Sequence, residues 1–255
     1  SIPAIQSFSD AGYHRITFSD YSLLFYCSPL GYIPSWSHGH GDLGSFLLYW
    51  KDQLLFVDCG RLTYVDDSWG RYGRSVRSHN SFSIDGQEPC IVHGLNAYPE
   101  LMHPHYLSSS PEVQIDELSP RKIVARVTNH SYERLFNVSE VVRYFICEHD
   151  QIIIEDHLQG ESTHLVETFF HVHPNVKVQD YSKSGVMLTL QNDNLSFSIR
   201  TGSPSRSVLL REQGPPDLAG WYFPSYGERV PTATLRVEQR AEFPLVNRYI
   251  LESVR

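Results

Sequence analysis

The chain has 255 residues, a formal charge of −8 and 13% aromatic residues. That length can bury a large core and is routine for one all-β domain. The acidic balance excludes a nucleic-acid partner, which needs a basic footprint. No apolar run reaches the roughly 18 residues that a membrane-spanning helix requires. A polyanionic substrate stays compatible if positive charge is gathered locally.

Ser1-Ile2-Pro3-Ala4-Ile5 has neither a basic start nor an apolar run of the signal-peptide kind, and it lacks Met. The chain therefore reads as a fragment or a processed form. Its four cysteines, Cys27, Cys59, Cys90 and Cys147, are scattered and form no C-x-x-C pair, so they read as buried free thiols. The three N-x-S sequons, at Asn129, Asn137 and Asn194, read as chance matches.

In chain order, short strand-like runs fall at 13–18, 45–50, 53–58, 82–85, 122–128, 139–147, 151–158, 165–172, 185–190, 195–200, 234–238 and 248–252. Turn signals separate them, among them Lys51-Asp52, Asp85-Gly86, His149-Asp150, Gln159-Gly160 and Asn192-Asp193-Asn194. Within 122–128 the residues alternate: Ile123, Ala125 and Val127 share one face, Lys122, Arg126 and Thr128 the other. No window supports an amphipathic helix of three turns; the nearest, 68–77, is short and broken by glycine. Many strands and almost no helix imply an all-β fold, a large antiparallel two-sheet β-sandwich of jelly-roll-like form, spanning 1–255 as one domain. The long irregular stretches 60–77 and 87–110 read as functional loops or as surfaces that pack against something else.

The strongest local signal lies in three segments: Ser37-His38-Gly39-His40-Gly41-Asp42, Phe56-Val57-Asp58-Cys59-Gly60, and Arg74-Ser75-Val76-Arg77-Ser78-His79-Asn80. If 37–41 is extended, His38 and His40 point the same way. Two imidazoles and a carboxylate make a reasonable donor set for Zn²⁺. The bland reading is that each histidine is a polar core or edge residue. His103-Pro104-His105 and His171-Val172-His173 repeat the same spacing; the first pair reads as a loop feature, the second as structural.

These segments resemble the heparinase II/III-like family. The first is similar to its H-x-H-x-D segment, Val57-Asp58-Cys59-Gly60 to its V-D-P-G turn, and Tyr72–Asn80 to its Y-x-R-S-x-x-x-H-N segment. Ile84-Asp85-Gly86-Gln87, Glu155–Gly160, Phe170–Pro174 and Trp221–Gly227 resemble later landmarks. The resemblance implies a β-sandwich that follows an N-terminal α/α toroid, and β-elimination on a uronic-acid polysaccharide. It makes His40, Asp58 and His79 zinc ligands and sets His38 in the substrate cleft. Tyr72 is its candidate for the cleft tyrosine, with Tyr64 second. Arg74 and Arg77 become partners for uronate carboxylates, since guanidinium forks match them; each reads equally as a solvated loop charge. Asp42 would orient His40 or cap a turn. Cys59 replaces the usual proline, so a thiol stands beside a proposed ligand.

The toroid, with the main tyrosine base, would be a partner domain outside this chain, and the location would be periplasmic or secreted. Two other classes remain open. One is a non-catalytic sandwich that binds an acidic glycan; the other is a jelly-roll metal oxygenase with a two-His, one-carboxylate triad.

Overall fold

The computed structural model describes residues 4–28, 38–51, 53–90, 111–182, 185–190, 196–201 and 205–254. The first sheet is built from β1 (Ala4–Phe8), β2 (Tyr13–Thr17), β3 (Tyr21–Tyr26), β4 (Phe46–Trp50), β5 (Gln53–Phe56) and β6 (Phe82–Ile84). The chain then crosses to β7 (Glu112–Ser119), β8 (Lys122–Thr128), β9 (Val138–Glu148) and β10 (Gln151–Gly160), returns with β11 (Thr163–Val172), and continues through β12 (Val176–Ser182), β13 (Gly185–Leu190), β14 (Ser196–Thr201) and β15 (Arg206–Arg211). A small ribbon, β16 (Trp221–Tyr222) with β17 (Val230–Pro231), precedes β18 (Ala233–Glu242) and β19 (Leu245–Val254).

One sheet runs β1-β2-β3-β4-β5-β11-β18-β15, with β6 also on β11; the other runs β12-β13-β14-β19-β10-β9-β8-β7. Neighbouring described strands pair antiparallel, as at Ile154↔Tyr249 and Phe170↔Leu235. The expected two-sheet antiparallel sandwich is the fold found. Among the described residues helix is confined to a single turn, α1 (Ser68–Tyr72), and to short 3₁₀ segments; Gly70 and Gly73 interrupt the nearest candidate run.

Strand alternation sorts the side chains. Ile123, Ala125 and Val127 of β8 are buried while Lys122, Val124 and Arg126 are half-buried. The core is aromatic at its centre. Phe25, Phe46, Phe56 and Phe170 of the first sheet meet Phe145 and Tyr249 of the second, with ring centroids 4.9 to 6.2 Å apart. Such edge and tilted contacts add to the area these rings bury.

A polar link crosses this apolar layer. Arg143 of β9 makes a two-pronged pair with Asp156 of β10, Nε to Oδ1 at 2.6 Å and Nη2 to Oδ2 at 2.9 Å, both side chains almost fully buried. Its Nη1 donates to the carbonyls of Gly44 at 2.8 Å and Asn80 at 2.9 Å, across on the first sheet's side. Arg143 lies 4.9 Å above the Phe82 ring. Asp156→Ala should leave a buried guanidinium without its counter-ion. Unfolding free energy should fall by about 3–5 kcal/mol, a melting temperature roughly 10 °C lower for a chain of this size. Thermal and chemical unfolding check this; an unchanged midpoint refutes it.

Candidate functional site

The first sheet parts between β5 and β11. These strands pair at a single position, Val172↔Phe56, and β6 takes the middle of β11 through Phe82↔Thr168, Ser83↔Glu167 and Ile84↔Val166. The segment from Val57 to Ser81 fills the opening. Asn80 fixes it there: Nδ2 donates to Phe46 O at 2.7 Å and Val57 O at 3.0 Å, and Oδ1 accepts from His171 N at 2.7 Å. Ser81 Oγ donates to Leu43 O at 2.7 Å. His79 is thereby presented from one side of the segment and Asp58 from the other.

The loop bearing His38 and His40 is not extended. His38 sits in a tight turn and Gly39–His40 follow no strand, so simple alternation does not set their direction. The loop is held by a latch instead. Gly41 N donates to Arg74 O at 2.8 Å and Arg74 Nε to Gly39 O at 3.1 Å. Gly41 has no room for a side chain: a Cβ would stand 2.9 Å from Val76 N and 2.6 Å from Glu88 Oε2. Both histidines nonetheless line one cavity of about 300 Å³, with Asp42, Asp58, Tyr13, Tyr26, Leu24 and Leu47. His38 is exposed and His40 half-buried behind it.

His40, Asp58 and His79 come together at the back of that cavity. His79 Nδ1 lies 2.6 Å from Asp58 Oδ2, and the His40 and His79 rings are 5.3 Å apart. Asp58 Oδ1 accepts from Gly60 N at 2.9 Å, so the Val57–Gly60 turn itself aims the carboxylate. Burial opposes a charged His79, but the Asp58 carboxylate outweighs it and raises His79 to about 9. Burial also opposes the Asp58 charge, and His79 overcomes it, lowering Asp58 to about 2. Burial and the neighbouring His79 push His40 down to about 3. Asp42 is raised to about 7, chiefly by burial.

His79 Nε2 is buried and has no hydrogen-bond partner among the described residues. An orphaned imidazole nitrogen beside a neutral imidazole and a carboxylate is the kind of donor set Zn²⁺ accepts. Among the described residues, however, no three His, Cys, Asp or Glu side chains form a ready metal-holding group.

Tyr72 does not reach the cavity mouth. It is buried, 3.8 Å from Cys59 Sγ, against Phe223, because α1 turns it inward. The tyrosine beside His38 is Tyr64, 58% exposed, its ring 6.0 Å from His38 edge-on, stacked on Tyr226 and under Arg61. Arg74 serves the latch, and Arg77 lies 3.7 Å from Asp217. Cys59 points away from Asp58, 3.1 Å from His171 Nδ1, which also meets Thr234 Oγ1 at 3.0 Å. All four cysteines are free thiols. His171 is fully buried and structural; His103 and His105 lie outside the described residues.

The family model described as "Heparinase II/III-like, C-terminal" matches residues 3–249. The chain belongs to this family. Among solved structures it is similar to a heparan sulfate lyase from Pedobacter heparinus, with 18% identity and a TM-score of 0.71, covering 98% of this chain and 36% of that one. A heparinase III structure aligns at 17% identity and a TM-score of 0.73, with 98% and 36% coverage. A 4-alpha-glucanotransferase from Thermococcus litoralis aligns at 9% identity and a TM-score of 0.55, with 99% and 39% coverage. These likenesses show the fold, and this heparinase-type domain spans little more than a third of the structures it matches. No curated protein matches the chain.

Asn80 and Glu88 were not legible as functional positions. Asn80 donates and accepts across three segments, a role visible only once they are assembled. Glu88 Oε2 accepts from Val76 N at 2.5 Å and closes the latch from behind. Asn80→Ala should strand two buried carbonyls and one buried N–H, lowering stability by at least about 2 kcal/mol. The His79 ring should also lose its fixed environment, read as a shifted or broadened imidazole resonance. A sharp, unshifted His79 signal in a folded variant would mean that Asn80 does not position it.

Proposed function

We propose that this domain carries one wall of the active site of a polysaccharide lyase that cleaves uronic-acid polymers by β-elimination. The observation that supports it most is the layering around one cavity: exposed His38 at its mouth with Tyr64 beside that ring, and His40, Asp58 and His79 behind. Removing a proton α to a carboxylate needs that carboxylate neutralised and a base within reach. His38 is placed to touch the sugar and to help with the C5 proton or the carboxylate that acidifies it. Tyr64 takes the role of the cleft tyrosine, since it is exposed beside His38 and Tyr72 is walled in. Arg74 contributes by holding the His38–His40 loop, and Arg77 belongs to the surrounding surface.

His40, Asp58 and His79 would hold one Zn²⁺. The ion would fix the loop that carries His38, a structural role. An N-terminal toroid of the same protein would supply the opposite wall and the main base, and the periplasm or the exterior would be the place where such a polymer is met. The glycan-binding reading differs in one respect: it retains the cavity and drops the proton transfer. The oxygenase reading is disfavoured because the half-buried carboxylate beside His79 comes from a separate turn, not from the H-x-H segment.

One zinc per chain is expected by elemental analysis, and His79→Ala should release it and lower the melting temperature, since a metal that binds only the folded state stabilises it. Full retention of zinc by His79→Ala would remove His79 from the ligand set. In the full-length protein, each cut should create a C4–C5 double bond conjugated to the carboxylate, followed by ultraviolet absorbance. His38→Ala should lower kcat and kcat/KM together, about 100-fold or more, with zinc content unchanged. Release of no unsaturated product from any uronate polymer leaves the glycan-binding reading in its place.

A further inference from the structure

The cavity at His38 continues onto the outer face of the first sheet. Register aligns three rows of outward residues there: Phe8, Tyr13 and Tyr26; Gln6, Arg15, Leu24 and Leu47; and Ala4, Thr17, Ser22 and Tyr49. Leu24 lines the His38 cavity and also a second cavity of about 630 Å³, whose walls include Phe8, Arg15, Ser22, Tyr49 and Lys51. From Tyr13 to Thr17 the strand advances about 13 Å, room for more than one sugar ring.

The chemistry of this trough is unusual for its chain. Arg15 and Lys51 are exposed and make no ion pair among the described residues, on a protein whose net charge is −8. Arg15 is not loose: its Nε donates to Ser22 Oγ at 2.6 Å, which lays the guanidinium along the sheet. Phe8, Tyr13 and Tyr49 expose apolar ring surface on either side, and the Tyr13 and Tyr26 rings meet at 5.0 Å along the wall of the His38 cavity, which Leu24 shares with the second. Asp20 also lines the second cavity and opposes the two cations there. Fixed guanidinium, exposed rings and hydroxyls are what an acidic sugar chain needs: the fork takes the carboxylate or sulfate, the rings take the sugar faces.

We propose that this trough is an extended groove for an acidic polysaccharide strand, running from the His38 cavity over Leu24 to Arg15 and Lys51. It rests on the reading of the His38 cavity as a uronate site and adds the path of the polymer away from it. The groove holds the chain and takes no part in proton transfer.

The test is binding of a 1,4-linked uronate octasaccharide to the 255-residue chain by calorimetry at low salt, beside the same octasaccharide with its carboxyls reduced to neutral alcohols. The acidic probe should bind and the neutral one should not. Arg15→Ser with Lys51→Ser should weaken binding about ten-fold, a gap that shrinks in high salt as exposed charges are screened, and Arg15→Lys should recover part of it. Both positions are exposed, so the variants should fold, as circular dichroism will check. Equal binding by the double variant, no binding by the parent chain, or equal binding of the neutral probe each overturns the groove. So does a loss confined to this chain and absent from the full-length protein, which would mean that another domain covers this face. Because the readout is binding and not product release, failure here leaves the lyase reading standing. Absence of unsaturated product with intact octasaccharide binding sinks that reading alone.

Discussion

The guanidinium of Arg143 is the constraint on which the site depends. It is anchored in the second sheet by Asp156 and reaches through the core to two carbonyls, Gly44 and Asn80. Gly44 follows the His38–Asp42 loop and Asn80 follows His79, so one cation fixes the spacing between the two histidine-bearing segments. A buried ion pair contributes little net stability compared with a well-packed apolar pair. Its retention here makes sense as a register device: apolar packing would hold the sheets together, but it would not specify where the two loops end up.

Around that anchor, the interior and the site are built on different principles. The sandwich core relies on alternation and ring packing, tolerant of exchange among apolar residues of similar volume. The site relies on backbone carbonyls and amides read by Asn80, Ser81, Arg74 and Glu88. These contacts are directional, and each leaves a buried polar group stranded if lost. The loops there can stay irregular because nearly every turn is tied to a neighbouring segment.

Period-2 patterning made the strands legible where one face is buried, as in β8 with Ile123, Ala125 and Val127. It was silent for β12, β15 and the β16–β17 ribbon, as well as for β1, β3 and β7. β1 is exposed along its whole length, in β3 apolar residues face both ways, and β7 alternates only over Glu112–Asp116, where Val113 and Ile115 are no more than half-buried. The three segments carrying His40, Asp58 and His79 were legible as a group, and the fold brings them together. Which of the two candidate tyrosines stands beside His38 was not. Tyr64 and Tyr72 lie eight residues apart in one loop, and a single turn of helix, capped by Asp67 at 3.0 and 2.8 Å, decides which one faces inward. The shared direction of His38 and His40 was conditional on an extended segment; glycines on either side of His40 and the latch to Arg74 favour an irregular loop in its place.

The opposite orientations of Asp58 and Cys59 bear on ion discrimination and on chemical handling. A thiolate beside two imidazoles would favour soft ions such as Cu(I), which prefer sulfur over oxygen. Here the sulfur is turned into a sealed compartment with His171 and Tyr72, and its exposure is 0%. Among the described residues that line the cavity, an ion entering from solvent meets nitrogen and oxygen donors and no sulfur. Burial also raises the Cys59 thiol well above its ordinary range, so almost none of it is thiolate at neutral pH. Alkylating agents and mild oxidants should therefore spare this position while the fold is intact, and its labelling would report local opening of the segment between β5 and β11.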